Sequence, residues 1–61
     1  MGKIKELRQS KKMTQAELAK LLGIDRTTVT QWEIGKNMPR AKMLLQLADI
    51  FECDVDYLLR A

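Results

Sequence analysis

The sequence predicts an all-α domain of five short helices. Apolar residues recur at spacings of three and four along nearly the whole chain, the period of helices with one buried face. Strand signals are nearly absent, with no alternating run and no Asn-Gly or Asp-Gly hairpin turn. Three glycines and one proline in 61 residues leave mostly regular elements joined by tight turns.

Each element has its own signal. The first helix, about residues 2–11, places Ile4, Leu7 and the stem of Arg8 on one face. Thr14 followed by Glu17 has the spacing of a capping box, and Met13 with Leu18 forms a hydrophobic staple. The second helix buries Leu18, Ala19 and Leu22 and ends at Gly23, a residue free to adopt positive φ. Asp25 is placed to cap a third helix over Arg26–Glu33, with Ile24 stapled onto Val29, and Gly35 ends it. After the loop Lys36-Asn37-Met38-Pro39 a fourth helix, about 40–52, carries the stripe Leu44, Leu47, Ala48 and Phe51. Asp54 caps a short fifth helix with Val55, Leu58 and Leu59.

Composition excludes several functions. A single small domain of this length buries only about 60% of the surface its unfolded chain exposes, leaving no room for an enclosed active site. There is no histidine, no Gly-rich phosphate loop and one cysteine, Cys53. Enzyme chemistry, an internal disulfide, a metal site and a cofactor are therefore not expected. Asp54 and Asp56 suit a helix start better than a metal, and Cys53 reads as a small buried hydrophobe. The lone thiol suits a reducing, cytoplasmic setting, and no apolar run reaches the ~20 residues of a membrane span. The net charge of +3 is unevenly placed. Ten basic side chains face four acidic ones in residues 1–42, against one and four in residues 43–61. A basic front of this kind suits a polyanion.

The second and third helices, residues 15–33, read as a helix-turn-helix. Ala19 leaves space for a steep crossing, Gly23 makes the turn, and Ile24, Val29 and Trp32 pack back on Leu18 and Leu22. On a wheel starting at Arg26, Val29 and Trp32 centre the core near about 270°. Thr27, Thr30, Gln31 and Ile34 lie opposite, near about 90°, with Arg26 and Glu33 at the margin. Lys and Glu would solubilise such a face better, whereas short hydroxyl and amide side chains suit base edges in the major groove. Trp32, on the core side, is structural rather than a stacking platform.

The pieces "TQAELAKLLGI", "WEIGKNMP" and "LLQLADIFECDVDYLL" resemble the DNA-binding domain of the lambda-type phage repressor and Cro superfamily, also called the xenobiotic-response-element family. The resemblance covers about Ile4 to Leu59. It implies a compact five-helix lambda-repressor-like bundle that binds operator DNA as a dimer, with the helix from Arg26 in the major groove. It also implies a phosphate contact at Gln15, an internal salt bridge between Arg8 and Glu33, and a dimerisation position at Tyr57. The chain departs from the family pattern at Ile34, usually polar or basic, at Arg40, which weakens the cap of the fourth helix, and at Cys53, usually Val.

The expected function is a sequence-specific regulator of transcription, a repressor that covers a palindromic double-stranded operator as a homodimer, assembled at the latest on DNA. Arg26 is expected to read guanine, oriented by Gln15. Gln31 is expected to read adenine through its donor–acceptor pair, and Thr27 and Thr30 to meet thymine methyls or polar edges. Gln15, Lys36, Asn37 and Arg40 are the phosphate candidates, followed by Lys11 and Lys12. Val55, Tyr57 and Arg60 are the dimer candidates. No membrane and no small-molecule ligand is expected, and the setting is the cytoplasm, at the nucleoid. The alternative is a helical protein-interaction module, antitoxin-like or an adaptor, with no DNA-binding role.

Overall fold

A computed structural model of the chain describes residues 2–60. Five helices follow in order: α1 (Gly2–Ser10), α2 (Gln15–Leu22), α3 (Arg26–Glu33), α4 (Ala41–Phe51) and α5 (Val55–Leu59). Among the described residues there is no strand, and no helix is long and apolar enough to cross a membrane. The expected bounds overrun by one residue at the end of α1 and at each end of α4, because Arg40 is extended and the chain turns left-handed at Lys12 and Glu52.

One core joins all five helices. Ile4 comes from α1, Leu18, Ala19 and Leu22 from α2, and Val29 and Trp32 from α3. Leu44, Leu47, Ala48 and Phe51 come from α4, and Leu58 from α5. Each large side chain among these contributes about 1.5–3 kcal/mol through burial. Ala19 of α2 is 3% exposed in the core, so a larger side chain there would have to displace its packed neighbours. The fifth helix buries less than its sequence suggests. Only Leu58 is fully enclosed, while Val55 is half-buried and Leu59 stays exposed, because five residues make little more than one turn.

Helix starts divide into capped and uncapped. At α2 the Glu17 N–H donates to Thr14 Oγ1 at 3.0 Å, and the Thr14 N–H donates to Glu17 Oε1 at 2.8 Å. The Thr14 N–H, and after it the Thr14 hydroxyl, hold the Glu17 carboxyl below its ordinary pKa. Asp25 and Asp54 have the extended backbone of a cap residue, but neither side chain bonds its helix, contrary to the expectation. Both are exposed, so water satisfies the carboxylates, and their remaining benefit is charge at the positive end of a helix. Arg40 has no acceptor to offer α4 and makes no cap bond.

Four helices stop in the same way. In α2 the Gly23 N–H donates to the Lys20 carbonyl and the Ile24 N–H to the Ala19 carbonyl, the paired bonds of a Schellman motif. Gly35 repeats this after α3, Lys12 after α1 and Glu52 after α4. All four turning residues have positive φ, at 70° and 81° for Gly23 and Gly35 and at 56° and 55° for Lys12 and Glu52. Glycine takes that conformation freely, but Lys12 and Glu52 do so against the clash of their Cβ atoms. Cys53, just after Glu52, is half-buried rather than enclosed. Burial, with the charge of Asp54, pushes its thiol pKa up, which keeps it protonated and unreactive.

Candidate nucleic-acid interface

Helix α3 lies on α2 with its core side where the wheel places it, while Thr30 and Gln31 are less outward than the wheel places them. Val29 and Trp32 are buried, Arg26, Thr27 and Ile34 are exposed, and Thr30 and Gln31 are half-buried between them. Arg26 and Thr27 occupy the first turn, with their side chains turned to solvent.

Behind that surface runs a chain of polar contacts. Arg8 grips Glu33 with two bonds, Nε to Oε2 at 2.7 Å and Nη2 to Oε1 at 3.2 Å. Its Nη1 donates to the Met13 carbonyl at 2.6 Å. The two side chains are 10% and 4% exposed, so the pair sits out of water. Burial pushes the Glu33 carboxyl up, but hydrogen bonds from Arg8 and Gln15 and the charges of Arg8 and Lys5 outweigh it, and the pKa is lowered. The hydrogen bond to Glu33 in turn raises the Arg8 guanidinium.

Gln15 extends the chain of contacts. Its Nε2 donates to Glu33 Oε1 at 2.9 Å, and its Oε1 accepts from Thr30 Oγ1 at 3.0 Å. The Thr30 hydroxyl also lies 3.2 Å from the Arg26 carbonyl, so its single proton is shared between two acceptors. This corrects the expectation that Gln15 orients the Arg26 side chain. Thr30 and Glu33, one turn apart on α3, both face the start of α2 and occupy both ends of the Gln15 amide. No buried side-chain nitrogen or oxygen among the described residues lacks a partner.

The loop after α3 folds back on that helix. The N–H groups of Lys36 and Asn37 donate to the Gln31 carbonyl at 2.9 and 3.4 Å. Asn37 Nδ2 donates to Gln31 Oε1 at 2.7 Å. Sequence reasoning assigned Asn37 and Gln31 to phosphate and base separately and missed this bond. Lys36 and Arg40 are exposed beside it. Lys11 is drawn away to Glu52, 3.1 Å distant.

The three dimer candidates lie on α5 and at its C-cap. Val55 packs on the chain's own core, Arg60 pairs with Asp56 at 2.7 Å, and Tyr57 is 39% exposed with the Lys3 ammonium 4.8 Å from its ring centre. Among the described residues no group of three or more Cys, Asp or Glu could hold a metal.

Known proteins share this pattern. A family model described as helix-turn-helix matches residues 4–58. The uncharacterized HTH-type transcriptional regulator YqaE of Bacillus subtilis (strain 168) is 39% identical over 57 residues, 93% of this chain and 49% of its own length. The HTH-type transcriptional activator BcrR of Enterococcus faecalis is 37% identical over 57 residues, 93% of this chain and 28% of its own. Repressor protein C2 of Salmonella phage P22 is 34% identical over 58 residues, 95% of this chain and 27% of its own. The chain thus spans about half of the first relative and about a quarter of the other two. No solved structure matches it at a significant level.

Proposed function

The chain belongs to the helix-turn-helix family, of the lambda-type repressor and Cro kind, and we propose that it is a sequence-specific double-stranded DNA-binding regulator of transcription. The observation that carries this reading is the outward side of α3. Arg26 and Thr27 are exposed on it and Thr30 and Gln31 are half-buried at its edges, backed by a part-buried polar network that joins α3 to α2. A helix in the major groove needs a fixed angle, because readout depends on donors and acceptors meeting base edges within a few tenths of an ångström.

In this reading Arg26 donates to guanine O6 and N7 from the first turn, and Thr27 and Thr30 meet thymine methyls or polar edges. Gln15 meets phosphate through its backbone N–H at the start of α2 and the second hydrogen of Nε2, since Oε1 and the first Nε2 hydrogen are engaged inside the domain. Lys36, Asn37 and Arg40 hold phosphates and set the register. One α3 covers too few base pairs for a useful specificity ratio, so two copies meet a roughly palindromic operator with half-site centres about 34 Å apart. Tyr57, with Arg60 and the outer edge of Val55, forms the contact between copies. Regulation is by occupancy in the cytoplasm, at the nucleoid, with the bound pair excluding polymerase. The relatives' names carry both signs, a repressor in phage P22 and an activator in Enterococcus faecalis, and the repressor sign proposed here rests on occupancy.

Selection of duplexes from a random pool tests the reading. The expected result is one enriched, two-fold symmetric site whose affinity falls steeply with salt. No enrichment, or binding that ignores salt, would leave the helical protein-interaction module as the better reading. A promoter carrying the selected site reports the sign of regulation.

A further inference from the structure

We propose that Asn37 decides which base Gln31 reads, by holding the Gln31 side-chain carbonyl and leaving its amide hydrogens for the groove. This rests on the reading of Gln31 as a base contact.

A glutamine amide carries one acceptor and one two-hydrogen donor, so a free one presents both and matches adenine. In this fold the amide is not free. Asn37 Nδ2 donates to Gln31 Oε1 at 2.7 Å. The bond is anchored at both ends, because Gly35, at φ 81°, turns the chain back. The N–H groups of Lys36 and Asn37 then close on the backbone carbonyl of the same Gln31. The Asn37 side chain therefore starts from a point tied to the residue it holds. With Oε1 turned to the loop, the side of the amide facing away carries donors. Donors suit the acceptor edges of guanine, O6 and N7, or thymine O4, rather than the mixed edge of adenine. Asn37 is thus a positioning residue acting through Gln31.

The site selected by the unmodified chain is the reference, and binding to every single-base change in it is measured for the unmodified chain, Gln31→Ala, Asn37→Ala and Asn37→Asp. The carboxylate introduced in N37D offers acceptors only, so it captures Gln31 Nε2 and turns Oε1 outward. At the position that Gln31→Ala relaxes, N37D is expected to move the preference from guanine or thymine toward adenine or cytosine. The expected change is roughly tenfold in relative affinity, within the range one base contact carries. N37A is expected to flatten the preference there. The ratio is taken within one variant, so any uniform loss from a carboxylate near phosphates cancels, and a merely structural role for Asn37 would weaken all sequences alike. An unchanged preference in N37D, or a shift toward guanine, overturns the proposal while Gln31 remains a reader. An unchanged profile in Gln31→Ala removes the base-reading role itself, and the proposal with it.

Discussion

Side-chain hydrogen bonds tie α3 to α2, whereas α4 and α5 meet through apolar contacts. The helix-turn-helix has a complete capping box at α2, although Asp25 gives α3 no side-chain cap, with two glycine stops and a part-buried network through Arg8, Glu33, Gln15 and Thr30. The α4–α5 pair starts on Arg40 and Asp54 without side-chain caps and turns on Glu52 against its backbone preference. Its interior is apolar, and its ion pairs, Lys11 with Glu52 and Arg60 with Asp56, lie on the surface, where each is worth at most about 1 kcal/mol. Apolar burial is non-directional, and side-chain packing sets a crossing angle only to within about 15–20°. Hydrogen bonds narrow that range. The element proposed to enter a groove has them, and the element that supports it manages without.

Breaking the network should have the largest effect. Arg8→Ala strands the Glu33 charge away from water and should cost about 3–5 kcal/mol in urea unfolding. Replacing both partners with apolar residues should cost much less than the sum of the single changes. The sign of the pH dependence follows from the lowered Glu33 pKa. Its contribution is present above the ordinary glutamate range and is lost as pH falls through the depressed folded value. Stability should therefore drop on acidification, and the drop should be shallower in Glu33→Gln.

Cavities in the apolar half come next. Leu47→Ala or Leu58→Ala should lose about 2–5 kcal/mol, since both side chains are fully buried. Their acid sensitivity should match the unmodified chain, and while folded they should keep its base preference. A changed preference in either would mean that α4 and α5 also set the angle of α3.

Smaller effects sharpen the contrast in caps and stops. Thr14→Ala should cost about 1 kcal/mol and Asp54→Ala less, because only the first removes a cap bond. Glu52→Gly should raise stability by about 0.5–1 kcal/mol by relieving positive φ, even with the exposed Lys11 pair lost. Thermal unfolding resolves both.

Five helices, their order and most core residues were legible because helical periodicity and glycine stops are local signals. The stops at Lys12 and Glu52 were not, since neither residue type announces a left-handed conformation. The uncapped Asp25 and Asp54 show the converse, where a residue type suited to a cap faces water instead. In the candidate interface the outward side of α3 followed from the wheel. The bonds of Gln15 to Thr30 and Glu33 did not, because they join positions 15 and 18 residues apart that only the α2–α3 crossing brings together. The Asn37–Gln31 bond spans six residues, but it depends on a loop closure that periodicity does not describe.

The most direct test of α3 as the reading element is a binding profile over all single-base changes in the selected site, comparing the unmodified chain with Arg26→Ala and Lys36→Ala. Arg26→Ala is expected to lose about 1–3 kcal/mol of discrimination at one or two positions per half-site and to keep the rest. Lys36→Ala is expected to weaken all sequences about equally and lower the salt slope by roughly one. An Arg26→Ala profile parallel to that of the unmodified chain at every position would contradict the assignment of α3 to the groove.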